Sequence, residues 1–160
     1  MTQQMSSPIL VLADQSGTHL TSLARQAVTL AASLTSADVV ALSVAPTPDV
    51  AALSELGATR VLHADLGPAG HASVAASDAV IAALGTDSFG LVLLCSDYRG
   101  REIAGRVAAL TEAGVISGAA SVSFDGGVLQ VGKTALGGSW STGIVLEGQT
   151  PIVGISSGVI

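Results

Sequence analysis

Residues 89–110 read FGLVLLCSDYRGREIAGRVAAL: a buried strand, a short polar turn, then an arginine-bearing helix. Phe89, Leu91, Val92, Leu93, Leu94 and Cys95 form an almost unbroken apolar run, as a strand covered on both faces requires. Ser96 and Asp97 end the run with side chains that favour turns and helix caps. Gly100 lets the chain turn closely, and Arg101 and Arg106 follow on the helix. A loop at the carboxyl end of such a strand, feeding a helix amino terminus, is where open α/β sheets place ligand or partner sites.

The same pattern extends back toward the amino terminus. Pro8–Ala13 is a first buried strand, with Asp14–Gly17 as its turn. Leu20, Leu23, Ala24, Ala27, Leu30, Ala31 and Leu34 follow a 3.6-residue period and predict an amphipathic helix. Val39–Val44 reads as the second strand. Thr47-Pro48-Asp49 has the make-up of a helix start with a capping hydroxyl, and Gly57 stops the short helix after it. Arg60–Ala64 is a third strand, and Ala72–Leu84 a helix whose Ala76, Ala79, Val80 and Ala83 face the sheet. The order βαβαβαβα predicts right-handed crossovers and a parallel sheet with helices on both faces.

After Gly114 the pattern changes. Ala119–Phe124 and Val128–Lys133 flank Asp125-Gly126-Gly127, a turn suited to an antiparallel hairpin. Ser139–Leu146 and Pro151–Ile155 are further strands. The expected architecture is α/β, a three-layer αβα single domain over residues 1–160, with a mainly parallel sheet and an antiparallel carboxyl-terminal extension.

Composition excludes several classes. Among 160 residues, 49% are apolar and only 11% charged, and the net charge is −6. Nucleic acid is not expected as a partner, because phosphate binding needs clustered Lys and Arg. There is no apolar run long enough for a membrane span. MTQQMSSP lacks the basic and apolar regions of a secretory signal. The single cysteine excludes an internal disulfide and is compatible with a reducing cytoplasm, the expected location.

Three segments, in this order, resemble the amino-terminal domain of the electron transfer flavoprotein alpha subunit. Leu53-Ser54-Glu55-Leu56-Gly57-Ala58-Thr59-Arg60-Val61-Leu62, followed by Asp65, is similar to the family's helix that ends in Gly-Ala and leads into a basic-Val strand. Ser96–Ala109 resembles its Thr-Ser-x-Gly-Arg-acid segment and the alanine-rich helix that follows. Lys133-Thr134-Ala135-Leu136-Gly137-Gly138 resembles its Arg-Pro-x-x-Gly-Gly element, and Pro151–Ile155 its last strand. Gly105 stands where the family prefers proline, Gly118 where an aspartate is common, and Lys133 where an arginine is usual.

The resemblance implies an adenine nucleotide alpha hydrolase-like fold and a role in electron transfer without catalytic residues of the chain's own. It implies assembly with a beta subunit; a homodimer is an open alternative for the isolated chain. It also implies flavin adenine dinucleotide (FAD) as cofactor of the full-length family member. The second domain, which carries most of the flavin contacts there, has no counterpart up to Ile160. The chain alone is therefore expected not to hold FAD tightly, whether it is an excised domain or a short relative.

Two segments have a functional and a structural reading. Ser96, Gly100, Arg101 and Arg106 suit an anion or a partner's acidic side chain; equally, they suit a capped helix whose arginines pair with Glu102 or neighbouring acids. Gly137, Gly138 and Ser139 suit a phosphate loop like that of universal-stress-type adenine nucleotide binders; they also suit a tight connection into a strand. That family's upstream glycine pair is missing, but a stand-alone nucleotide-binding regulatory module stays as the alternative function. Cys95 reads as a small buried side chain. His19, His63 and His71 show no metal-ligand spacing.

Overall fold

A computed structural model describes residues 3–159, apart from the side chains of Gly70 and His71. In chain order the strands and helices begin with β1 (Ile9–Leu12), two-residue strands β2 (Gln15–Ser16) and β3 (His19–Leu20), and α1 (Ser22–Leu34). Next come β4 (Val39–Ser43), α2 (Val50–Glu55), β5 (Arg60–His63), α3 (Ser73–Leu84), β6 (Leu91–Cys95) and α4 (Tyr98–Thr111). The carboxyl-terminal part holds β7 (Val115–Asp125), β8 (Val128–Ala135), β9 (Trp140–Val145) and β10 (Ile152–Ile155).

The main sheet has eight strands in the order β5-β4-β1-β6-β10-β7-β8-β9. Neighbours from β5 through to β7 are parallel, and β7-β8-β9 are antiparallel. This is the expected mainly parallel α/β sheet with an antiparallel extension. The last strand does not stay with the extension. β10 returns to the middle of the sheet and separates β6 from β7.

Strand alternation builds the three layers. Ile9, Val11, Val39, Ala41, Leu91 and Leu93 face α1. Leu10, Leu12, Val40, Leu42, Val92 and Leu94 face α3 and α4. Each such Leu or Ile, when fully buried, contributes about 1.5–3 kcal/mol. Ala24, Ala27 and Ala31 on α1, and Ala76, Ala79 and Ala83 on α3, are buried. Their small side chains bring the helices close to the sheet.

β7 bends where its pairing shifts between Ala119 and Ser121, next to Gly118 at φ 77°. The bend folds the β7–β8 hairpin over the α1 face. There Val122, Leu129 and Val131 join the α1-side core, and the Gly127 N–H donates to Gln3 Oε1 at 3.3 Å. The start of α2 differs from the sequence expectation. Asp49, not Thr47, is the cap, accepting from the Ala52 N–H at 3.3 Å, because the helix begins at Val50 and Thr47 lies two residues ahead of the cap position. Among the described residues, no helix is long and apolar enough to cross a membrane.

Candidate functional site: the crevice between β1 and β6

From β1 the chain steps outward to β4 and β5, then crosses back to β6 on the other side of β1. The strand order reverses between β1 and β6, and a crevice opens there at their carboxyl ends. Asp14 follows β1 and Arg99 lies in the first turn of α4, just after β6. Arg99 Nη1 reaches Asp14 Oδ1 at 2.9 Å, with the two side chains 26% and 13% exposed. Burial pushes the Asp14 carboxyl above its ordinary range; Arg99 opposes the shift, and the nearby Asp97 adds to it.

The start of α4 carries its own cap. Asp97 caps it, accepting from the Gly100 N–H at 2.7 Å. Gly100 has a steric reason to be glycine, since a Cβ there would collide with the Cys95 carbonyl oxygen. Ser96 is buried, and its hydroxyl accepts from the Gly118 N–H at 2.9 Å, tying β6 to the bend in β7. Cys95 is buried and its thiol is shifted strongly upward, by burial first and then by the negative fields of Asp14 and Asp97.

Gln15 shapes the other wall. Its Oε1 accepts from the Asp49 N–H at 2.9 Å and the Ser43 hydroxyl at 3.3 Å, and its Nε2 donates to the Thr47 carbonyl at 3.0 Å. The loop after β4 is thereby fastened to the loop after β1. Between them lies a cleft of ≈ 350 Å³ lined by Ala13, Gly17, Val44, Pro46, Thr47 and Arg99, among others. A larger depression of ≈ 860 Å³ sits at the opposite edge of the strands, lined by Ser7, Asp87, Glu112 and Glu147 among others. It is remote from the switch point.

The four residues singled out around α4 are not brought to one point. Ser96 turns toward β7 and Gly100 is buried against β6. Arg101 is exposed. Arg106 Nη2 lies 3.7 Å from Asp78 Oδ1 of α3, with both side chains largely in solvent. Glu102 accepts from the Ser73 hydroxyl at 2.6 Å. Gly137 and Gly138 lie in an exposed 3-10 turn between β8 and β9, with Ser139 as its carboxyl-terminal cap. They line neither cleft.

Asp97 is the helix cap that the sequence suggests, whereas no motif in the sequence singles out Asp14, Gln15 or Arg99. The available signal was positional, because Asp14 and Arg99 both lie just past buried strands that a switch point would place side by side. His63 Nε2 lies 2.8 Å from the Ala45 carbonyl oxygen, and the His71 side chain lies outside the described residues. Among the described residues, no group of His, Cys, Asp and Glu could hold a metal ion.

Where Asp14 and Arg99 meet, the crevice does not suit the diphosphate of a flavin dinucleotide. A diphosphate needs open N–H groups and an uncompensated cation. Here Asp97 occupies the helix start, Asp14 neutralises Arg99, and both carboxylates would repel phosphate.

A family model described as an electron transfer flavoprotein domain matches residues 9–160. No curated protein matches the chain.

Proposed function

We propose, on the premise that the chain belongs to the electron transfer flavoprotein domain family, that it is an alpha-subunit-type scaffold that docks against a beta subunit. Membership gives it a role in electron transport within a flavoprotein family. Its own part in that role is assembly and orientation. FAD, when bound to the assembled protein, supplies the one- and two-electron chemistry. This chain's residues contribute a rigid sheet and a surface for the partner.

The carrying observation is the Asp14–Arg99 ion pair, which sets the chain's own opposite charges against each other at the switch-point crevice. A domain that neutralises its own switch-point cation in this way is suited to support, not to cofactor capture. Arg101, exposed beside Tyr98, which is 82% exposed, is the cation we assign to the beta-subunit contact. Gly100 lets the helix that presents it start close against β6, Ser96 anchors the loop ahead of it to β7, and Arg106 lies near Asp78 of α3 in solvent. The absence of any disulfide partner for Cys95 supports a cytoplasmic setting.

The test has two arms. Titrating FAD into the chain alone should give no saturable binding, and mixing it with an electron transfer flavoprotein beta subunit should give a one-to-one complex. Saturable FAD binding by the chain alone, or no complex with the beta subunit, would overturn the reading. The ≈ 350 Å³ cleft between the loops after β1 and β4, which the ion pair borders without filling, favours a second reading, a stand-alone adenine nucleotide-binding regulatory module. Saturable micromolar binding of ATP or AMP would establish that reading in place of the first.

A further inference from the structure

We infer that the free edge of β9 pairs with the same edge of a second copy of this chain, joining two sheets about a two-fold axis through Gly143. β9 ends the eight-stranded sheet, and its residues are exposed apart from half-buried Ile144. Sheet edges left in solvent are ordinarily guarded by a lysine, a proline or a bulge. β9 has none of these, and the whole run Thr134–Leu146 contains no acid, base or histidine. In a chain of net charge −6, this edge lets two copies meet without opposing like charges.

The backbone sets the register. The Leu146 N–H donates to the Leu129 carbonyl at 3.4 Å. By the alternation of an antiparallel ladder, Trp140, Thr142 and Ile144 also turn their backbone groups toward β8. Ser141, Gly143 and Val145 turn theirs outward. A two-fold axis must then match outward residues with outward residues. Centring it on Gly143 sets Ser141 opposite the second copy's Val145, Thr142 opposite Ile144, and Trp140 opposite Leu146. Trp140, the sole tryptophan, is 68% exposed in the single chain. In the pair it meets the half-buried Leu146 of the other copy, once at each end. Aromatic-aliphatic cross-strand pairs of this kind stabilise antiparallel sheets.

The inference rests on the edge strand alone, so it stands or falls separately from the scaffold reading. Sedimentation velocity of the full chain at micromolar concentrations should show a dimer of twice 15.7 kDa. Gly143→Lys and Gly143→Asp each place two like charges on the axis and should each lose the dimer; mixing the two variants should restore it. An added Cβ at Gly143 meets nothing within 4 Å, so both variants should fold. Hydrogen exchange on the wild type gives a readout that needs no variant, with the Ser141, Gly143 and Val145 amides protected only at associating concentrations. A monomeric wild type, a dimer indifferent to either charge, or an edge protected only by a beta subunit would overturn the inference.

Discussion

Asp14 and Arg99 meet at 2.9 Å across 85 residues of sequence and join the loops after β1 and β6. The contact lies where an open α/β sheet would ordinarily receive a ligand. There Arg99 meets the chain's own carboxylate in place of an external anion.

The ion pair has a pH signature. Burial raises the folded-state titration of Asp14 above the ordinary 3.8. Between 3.8 and the raised value, the native state holds more protons than the unfolded chain. Asp14's contribution to stability is therefore full below that window and is lost as pH rises through the native value. Asp14→Asn should remove this slope. Urea unfolding at a series of pH values, wild type against variant, measures it; parallel curves for the two proteins would refute the assignment.

Two glycines of α4 should behave oppositely. Gly100→Ala drives a Cβ into the Cys95 carbonyl, and such overpacking typically costs about 1–3 kcal/mol. Gly105→Ala meets nothing within 4 Å on an exposed helical position and should stabilise by roughly 0.5–1 kcal/mol. Denaturant midpoints of the two variants check both signs.

Gln15 fastens the loop after β4 through Asp49, Ser43 and Thr47. Gln15→Ala leaves the part-buried Asp49 amide and Ser43 hydroxyl without this partner and should cost about 1–3 kcal/mol. The loss should appear as faster hydrogen exchange at the Asp49 amide, with β6 unaffected.

Cys95 should resist alkylation while the chain is folded, because burial and two nearby carboxylates hold the thiol protonated. Iodoacetamide labelling at mildly alkaline pH should track global unfolding. Rapid labelling of native protein would contradict the placement.

Local periodicity made most of the elements readable. The apolar run Leu91–Cys95 and the alanine spacing of α1 and α3 depend on neighbours close in sequence, and the structure matches them closely. The two-residue strands β2 and β3 are too short to leave a pattern. The position of β10 between β6 and β7 depends on partners far along the chain, which periodicity does not encode. The candidate site was less legible for the same reason. The Ser96–Arg106 pattern points to Arg101 and Arg106, which follow the glycine on the helix, while Arg99 holds the long-range contact. At α2, Thr47-Pro48 has the pattern of a capping hydroxyl before a first-turn proline, but the helix starts at Val50 and Asp49 caps it; where a helix begins within such a run is set by its packing, not by the run itself.

The scaffold role is tested most directly by sedimentation velocity of this chain with an electron transfer flavoprotein beta subunit, alongside Arg101→Ala. The wild type should form a one-to-one complex. The variant should keep its stability within about 0.5 kcal/mol, as surface changes usually do, yet bind at least about tenfold more weakly, the loss of roughly 1.4 kcal/mol. Unmixed boundaries for the wild type, or equal affinity for the variant, would contradict the account.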